Sequence, residues 1–165
     1  MSEAVVGLGS NLGEKSKNLL TAVKALSRLP GTKITGLSSI YASAPENGDK
    51  QQDDFHNMAV MLETQMSPMA LLGACLGIEA AMGRVRTKPN ISRVIDLDLL
   101  VYEGVKSESY ELTLPHPRML QRPFVLLPLK ELYPQGRAPG VFFEPNLKET
   151  DVSGCKKLEQ RIEIS

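Results

Sequence analysis

Apolar and polar residues follow two different periods along the chain, and these periods predict strands and helices in alternation. Runs that are apolar throughout or that alternate with polar residues have the length and β-branched content of strands. The segment 10–31 instead repeats Leu19, Val23 and Leu26 at helical spacing, and 67–83 predicts a second helix. The predicted strands are residues 4–9, 33–43, 57–65 and 95–104.

The order of these elements predicts the fold class. Strand, helix, strand, strand, helix and strand in succession give a ferredoxin-like βαββαβ sandwich, an α+β fold with helices packed on a mainly antiparallel sheet. A chain of 165 residues has the length of one ordinary domain, so we expect 1–165 to form a single domain. Residues 110–117 predict a further edge strand and 122–134 a short helix. The C-terminal extension, 136–165, is weakly patterned, and the sequence assigns it no role.

Composition excludes several classes of protein. The chain carries 19 Lys and Arg residues against 19 Asp and Glu residues, which argues against broad binding to nucleic acid. No signal peptide and no membrane-spanning run is visible, so we expect a cytoplasmic protein without membrane contact. Cys75 and Cys155 do not suggest a disulfide scaffold. We expect a monomer, with a weak dimer as the alternative.

Two aspartates interrupt the apolar strand predicted at 95–104. Residues i and i+2 of a strand point to the same face, so Asp96 and Asp98 should project together while Leu97 and Leu99 turn away. Two like charges on a partly buried face need cations or a divalent metal to neutralise them. Oxygen ligands without a nearby His or Cys suit Mg²⁺, and a carboxylate pair can hold two ions. A solvated strand face with salt bridges to arginine is the alternative.

Basic residues are concentrated just before the aspartates. Arginine binds phosphate oxygens through a two-pronged fork, and a metal can bridge phosphate and carboxylate. The combination indicates a polyphosphate that arrives with its own magnesium, whereas a salt-bridge cluster on a loop is the alternative. The four cations are Arg84, Arg86, Lys88 and Arg93.

A second basic cluster follows at 114–124. His116 lies between two prolines on a rigid turn, where its ring can donate a hydrogen bond to a phosphate or a ribose without acting as a base. Arg118 and Arg122 come directly after it. Each cluster alone is a weak signal, but the two together indicate a site for a nucleoside triphosphate.

Aromatic residues are few in this chain, which has four Phe and four Tyr. Phe55 and Asn57 lie on one side of a strand start, and Phe124 follows the second basic cluster. Two aromatic faces and one amide can hold a flat heterocycle by stacking and by edge hydrogen bonds. The alternative is that both phenylalanines belong to the core.

In order and spacing, several motifs resemble the 6-hydroxymethyl-7,8-dihydropterin pyrophosphokinase family of folate biosynthesis, over residues 4–133. The resemblance implies a ferredoxin-like sandwich that transfers the β,γ-diphosphate of ATP to the hydroxymethyl group of the pterin and releases AMP. The motifs are GLGSNLG at 7–13, Phe55 with Asn57, GRVR at 83–86, RVIDLDLL at 93–100 and LPHPRMLQRPFVLLPL at 114–129.

The resemblance also implies roles for individual residues. Asp96 and Asp98 would bind two Mg²⁺ ions and, with Arg84 and Arg93, would form the catalytic set. The residues on the ATP side would be Glu79, Arg84, Arg86, Arg93, Leu99 (through its backbone), Thr113, His116 and Arg122. The residues of the pterin pocket would be Ser43, Ala44, Glu46, Phe55, Asn57 and Phe124.

The chain departs from the family pattern before the aspartates. TKPNISR, at 87–93, stands where the family usually carries RWGPR, and the chain has no tryptophan. Loop closure over the substrate is therefore expected to differ from that of the family. Two other functions stay open at this level: another Mg-dependent nucleotidyl- or phosphotransferase, and a non-catalytic module that binds a nucleotide or a pterin.

Overall fold

A six-stranded antiparallel sheet is the central element of the structure, a computed structural model that describes residues 1–46, 48–84 and 92–164. The elements of the described residues, in chain order, are β1 (Ser2–Ser10), α1 (Lys15–Ser27), β2 (Thr32–Leu37), β3 (Tyr41–Ser43), β4 (Phe55–Thr64), α2 (Pro68–Ala81), β5 (Asp96–Tyr102), β6 (Ser107–Glu108), β7 (Thr113–Leu114), a 3₁₀ turn (Met119–Gln121), α3 (Pro123–Leu132), β8 (Arg137–Ala138), β9 (Val141–Phe142), α4 (Glu144–Glu149) and β10 (Cys155–Lys157).

The strand order confirms the predicted α+β fold. The sheet runs β10-β3-β4-β1-β5, and β2 also pairs with β4, so β2 and β3 together occupy the place of one strand. The first six segments then follow the βαββαβ order of a ferredoxin-like sandwich. Helix α2 begins where the sequence predicts, because Ser67 Oγ accepts a hydrogen bond from the N–H of Ala70 (3.2 Å) and Pro68 occupies the first helical position.

The prediction of one continuous strand at 33–43 is wrong. β2 ends at Leu37, and the chain leaves the ladder two residues later. The N–H of Ser38 still donates to a carbonyl of β4, but the N–H of Ser39 donates to the carboxylate of Glu131 on α3 (2.9 Å). The side chain of a distant helix thus takes the place of a strand partner and divides the strand.

The prediction of an edge strand at 110–117 is also wrong in extent. Only Thr113–Leu114 is a strand, and it pairs with β6 in a separate two-stranded sheet. The hydroxyls of Ser107 and Ser109 both donate to the carbonyl of Leu112, at 2.6 and 2.9 Å. These side-chain bonds fold the segment into a tight turn before a longer ladder can form.

The weakly patterned C-terminal extension contributes to the main sheet. Its last strand, β10, pairs with β3, so that Cys155 lies opposite Ser43 and Lys157 lies opposite Tyr41. Earlier in the extension, Phe143 is fully buried beside α3. A three-residue strand that contains two lysines has no hydrophobic period, and the sequence therefore gave no indication of it.

The sheet separates the core into two layers by strand alternation. Val6 and Leu97 belong to the layer under α1 and α2, whereas Val5, Ala59 and Leu100 belong to the layer under α3. Helix α3 packs on β3 and β4 and leaves part of this second face uncovered. The uncovered part forms the floor of a cavity.

The helices of the described ranges are short. The longest, α2, has 14 residues, and none of them combines the length and apolar character needed to cross a lipid bilayer.

Candidate functional site

The cavity above β1, β4 and β5 has a volume of about 420 Å³. Gly7 and Gly9 of β1 keep its floor open. A Cβ atom at Gly9 would lie 3.1 Å from Asn57 Oδ1, and one at Gly7 would lie 3.2 Å from Leu100 Cδ1. A ligand can therefore approach the backbone of the sheet closely. The predicted site residues that line the cavity are Ser43, Ala44, Glu46, Phe55, Asn57, Arg84, Arg93, Asp96, Asp98, His116, Arg122 and Phe124.

The two aspartates lie side by side over the glycines. Asp96 pairs with Gly9 across the strands and Asp98 pairs with Gly7, and both carboxylates line the cavity. Leu97, between them, is 2% exposed and belongs to the opposite core layer. Strand alternation thus brings both acids to the same face, as their spacing predicts.

Asp96 is neutralised by two arginines in this structure. Its Oδ1 contacts Nη1 of Arg84, and its Oδ2 lies 2.7 Å from Nη1 of Arg93. The cation pairing that the sequence left open as an alternative to metal binding is therefore present at Asp96. These arginines remain partly exposed, with 11% and 27% of their side chains accessible, so a ligand in the cavity can reach them.

Glu79 supports this cluster from beneath. Its side chain is 1% exposed, and its Oε2 accepts hydrogen bonds from Arg84 Nη1 (2.8 Å) and from the N–H of Leu97 (2.7 Å). Glu79 is not among the described residues that line the cavity. It fixes the guanidinium group of Arg84 and ties helix α2 to strand β5.

Asn11 supports the arginine cluster through the backbone of Arg93, and sequence reasoning missed this role. It is 1% exposed, and its Oδ1 accepts from the N–H of Arg93 (2.7 Å) while its own N–H donates to the carbonyl of Arg93 (3.1 Å). Its Nδ2 donates to Gln52 Oε1 and to the carbonyl of Asp53. A polar residue directly after the end of a glycine-rich strand was the available signal, but its partners lie 41 to 82 positions away.

His116 is electrically neutral in its surroundings at physiological pH. Burial, reinforced by the guanidinium groups of Arg122 and Arg118, lowers the pKa of His116 from 6.5 to about 4. Its Nδ1 accepts a hydrogen bond from the backbone N–H of Arg118 (3.3 Å), so the ring proton resides on Nε2. Arg122 in turn has its Nε 3.0 Å from Oε1 of Glu46.

Asn57 is held rigidly on β4, on the opposite side of Gly9 from Asp96. Its Nδ2 donates to Ser43 Oγ (2.9 Å) and to the carbonyl of Tyr41 (3.2 Å), and the residue is 4% exposed. Both donor hydrogens of the amide are therefore directed at the protein, which leaves Oδ1 as its acceptor. Phe55 and Phe124 line the same cavity, so neither phenylalanine is confined to the core.

Three residues predicted for the ATP side are not among the described residues that line the cavity. Leu99 has its side chain in the core, 3% exposed, so only its backbone is left for the predicted contact with a ligand. Thr113 donates its hydroxyl to the carbonyl of Ser109 (3.1 Å) and, like Leu99, is not among the described lining residues. Arg86 lies outside the described residues, as does most of the TKPNISR segment.

Fold and cavity together define an α+β small-molecule-binding domain with two chemically distinct ends. One end, on the β5 side of Gly9, is formed by carboxylates and arginines, and the other, on the β4 side, by the Asn57 amide with two phenylalanines. A model of the family 7,8-dihydro-6-hydroxymethylpterin-pyrophosphokinase (HPPK) matches residues 5–134. The chain belongs to the HPPK family, and the resemblance of its motifs is thereby confirmed.

Two curated relatives match along nearly the whole chain. The 2-amino-4-hydroxy-6-hydroxymethyldihydropteridine pyrophosphokinase of Methylorubrum extorquens is 42% identical over 159 residues, which cover 96% of this chain and 100% of that protein. The protein of the same name from Bacillus subtilis is 37% identical over 158 residues, or 96% of this chain and 91% of that protein.

Solved structures agree in fold. An HPPK-DHPS in complex with substrates has a TM-score of 0.70 at 14% identity, covering 94% of this chain and 46% of that chain. Wild-type Plasmodium falciparum HPPK-DHPS with SDX-DHP has a TM-score of 0.68 at 16% identity, covering 90% and 43%. The chain spans less than half of these two proteins.

Proposed function

We propose that the cavity is the active site for transfer of the pyrophosphoryl group of ATP to 6-hydroxymethyl-7,8-dihydropterin, which gives AMP and the pterin diphosphate in folate biosynthesis. Family membership and the pyrophosphokinase names of the relatives support this reaction. The observation that carries the assignment is the joining of the two ends in one cavity. The charged end is suited to a triphosphate, and the amide end is suited to a flat heterocycle.

At the charged end, ATP binding requires an exchange of partners. Arg84 and Arg93, which pair with Asp96, would turn to phosphate oxygens. The carboxylates of Asp96 and Asp98 would then be available to hold Mg²⁺, and we propose two ions. In the described residues no cluster of three or more His, Cys, Asp and Glu side chains can hold a metal, so phosphate oxygens and water would complete the coordination. Bound magnesium would supply positive charge for the triphosphate.

At the amide end, the fixed orientation of Asn57 selects the ligand. Its Oδ1 would accept a hydrogen bond from a ring N–H or amino group of the pterin, because its Nδ2 is already engaged by Tyr41 and Ser43. Phe55 and Phe124 would stack on the bicyclic ring. Recognition then rests on one acceptor and two aromatic faces.

The chemistry needs little covalent help from the protein. The pterin hydroxyl oxygen attacks the β-phosphorus of ATP, the bond from that phosphorus to the α,β-bridging oxygen breaks, and AMP leaves with the electron pair. The hydroxyl proton passes to solvent or to phosphate. Arg84, Arg93 and the Nε2–H of His116 hold the phosphate oxygens in position, so catalysis is by positioning and charge neutralisation.

A product analysis tests the assignment directly. With ATP, Mg²⁺ and 6-hydroxymethyl-7,8-dihydropterin, we expect one AMP and one pterin diphosphate per turnover, measured by anion-exchange chromatography. ADP as the product would contradict the assignment and favour another phosphotransferase. Binding of ATP without turnover of any acceptor would indicate a non-catalytic binding module instead.

The lowered pKa of His116 predicts that ATP binding takes up protons in mildly acidic solution. Between pH 4 and 6.5 the free protein keeps this imidazole neutral, and the negative charge of a triphosphate raises its pKa. We therefore expect net proton uptake at pH 5.5, measured by calorimetry in two buffers of different ionisation enthalpy. The uptake should decrease in His116→Gln.

The second histidine of the chain provides a matched control for this experiment. Burial also lowers the pKa of His56, but His56 lies beside Lys15 and is not among the described residues that line the cavity. His56→Gln should leave the uptake unchanged. Undiminished uptake in His116→Gln would show that His116 does not face the triphosphate.

We propose further that residues 1–165 act as a single domain, as a monomer and in the cytoplasm, without nucleic-acid or membrane partners. The pairing of β10 with β3 supports inclusion of the C-terminal extension. Cys75 and Cys155 are both buried free thiols, which accords with a reducing compartment. Size-exclusion chromatography with light scattering distinguishes the monomer from a weak dimer.

A further inference from the structure

Asn57, the side chain proposed to contact the pterin, is held in its orientation by a very short strand. Asn57 donates to the carbonyl of Tyr41 and to the hydroxyl of Ser43, and both acceptors belong to β3, which has three residues. The chain leaves the ladder at Ser39, directly before this strand. The orientation of the Asn57 amide is therefore only as well defined as the position of β3.

Glu131 of α3 holds that strand in place. One carboxylate oxygen, Oε1, accepts from the hydroxyl of Tyr41 at 2.5 Å, and the other, Oε2, accepts from the N–H of Ser39 at 2.9 Å. Lys157, on the far side of β3, has its Nζ 3.8 Å from Oε1. Ser39 is fully buried and Tyr41 is 6% exposed, so water cannot readily replace these bonds.

The charge state of this cluster is well defined. Burial raises the pKa of Glu131, but hydrogen bonds from Tyr41 and Ser39 and the nearby Lys157 outweigh it, and the pKa is lowered overall. Burial and the same carboxylate raise the pKa of Tyr41. The carboxylate is thus ionised and the phenol protonated throughout the neutral range, which makes their hydrogen bond charge-assisted and strong.

Helix α3 connects this support to the rest of the pterin end. Phe124 lies in its first turn and lines the cavity, and Glu131 lies in its last turn. One rigid element therefore carries an aromatic face of the pocket and also fixes β3, which orients the amide. Neither Glu131 nor Tyr41 is among the described residues that line the cavity, so both act through other groups.

We propose that Glu131 is a positioning residue for pterin recognition, acting through Tyr41 and β3 to hold the Asn57 amide with its oxygen available to the ring. The proposal rests on the proposed function and adds a specific consequence to it. Loss of the support weakens binding of the pterin and leaves binding of ATP unchanged, because the arginines that contact phosphate are held by Glu79 and Asn11 instead.

Two variants remove the support by different amounts. Tyr41→Phe deletes only the hydroxyl, and Glu131→Gln keeps the shape of the side chain but removes its charge. We expect each to raise KM and Kd for 6-hydroxymethyl-7,8-dihydropterin about tenfold, because the loosened amide must be ordered when the pterin binds, and a tenfold change corresponds to about 1.4 kcal/mol. KM for ATP should stay within about twofold of the wild-type value. If Glu131→Gln fails to fold, Tyr41→Phe by itself tests the positioning role.

The neighbouring residue on α3 provides the control. Lys130 forms an ion pair with Glu144 of α4, with Nζ 2.6 Å from Oε2, and this ion pair leads away from β3. Lys130→Gln removes an ion pair from the same helix end, so a general loss of stability would appear there too. We expect its KM values for both substrates to equal those of the wild type.

A double-mutant cycle separates positioning from simple stabilisation. In an Asn57→Ala background, Glu131→Gln should have no further effect on the Kd of the pterin, measured by calorimetry with a non-hydrolysable ATP analogue present. Additive effects, or equal changes in the KM values for ATP and for the pterin, would overturn the positioning role of Glu131 but not the proposed function. Failure of the wild type to bind the pterin would overturn the proposed function as well.

Discussion

Asp96→Ala and Asp98→Ala are each expected to lower kcat by about 10³-fold or more, because each removes a carboxylate that would hold magnesium at the triphosphate. Loss of metal-based charge neutralisation is worth several kcal/mol in the transition state, and about 4 kcal/mol corresponds to a factor of 10³. The two carboxylates project from neighbouring same-face positions of β5 into one cavity, so neither can be replaced by the other.

The measurement combines turnover with the magnesium dependence of ATP binding. In both variants the gain in ATP affinity on adding Mg²⁺ should largely disappear, whereas the metal-independent part of binding should persist through the arginines. Chelation of Mg²⁺ in the wild type should reproduce the loss of turnover. Calorimetric titration with ATP, with and without Mg²⁺, reports both parts.

Glu63→Gln is the matched control for the aspartate variants. Glu63 is a carboxylate of β4 in the same sheet, and its partner is the exposed Lys33 at 3.8 Å. Its replacement should change neither turnover nor stability measurably. Near-normal turnover in Asp96→Ala or in Asp98→Ala would show that the proposed two-ion role is wrong.

Glu79→Ala is expected to have the largest effect on stability. Its carboxylate is 1% exposed, and its removal takes away the more deeply buried of the two counter-charges of Arg84 and leaves the N–H of Leu97 without this acceptor. Breaking a buried ion pair from one side costs about 3 kcal/mol or more. For a chain of this length that corresponds to a decrease in Tm of about 9 °C.

Comparison with a milder variant identifies the cause of this loss. Glu79→Gln keeps an oxygen that can accept from the N–H of Leu97 but removes the charge, so its free energy of unfolding should lie between those of the wild type and Glu79→Ala. Leu76→Ala, on the exposed side of the same helix, should cost little. Urea denaturation of the three variants measures these differences, and a change below about 1 kcal/mol in Glu79→Ala would contradict the structural role.

Much of the fold was predictable because its signals are local. The helical repeat of Leu19, Val23 and Leu26 and the N-cap at Ser67 correspond to α1 and α2 in the structure. The spacing of Asp96 and Asp98 placed both on one face because strand alternation needs only neighbouring residues. These features follow from residues within one turn or a few positions of each other.

Other parts of the fold could not be predicted, because they depend on side chains that are remote in sequence. The strand expected at 33–43 is divided by Glu131, a residue more than 90 positions after the start of that strand. Strand β10 forms only because the edge of β3 is available for pairing. The edge strand at 110–117 was overestimated since three hydroxyl bonds within a tight turn competed with the ladder. Short elements of this kind carry no period of their own.

By itself the sequence determined the order of elements, the pairing of two acids on one strand face and the chemical types expected at the site. Only the tertiary structure decided that Glu79 lies beneath Arg84, that Asn11 joins the Arg93 backbone to the segment at Gln52, and that Tyr41 and Glu131 support Asn57. The reason is that the chemical type of a residue is visible in the sequence, whereas its contacts depend on distances that are set only when the chain folds. Here the strand order β10-β3-β4-β1-β5 brings together side chains that lie far apart along the chain.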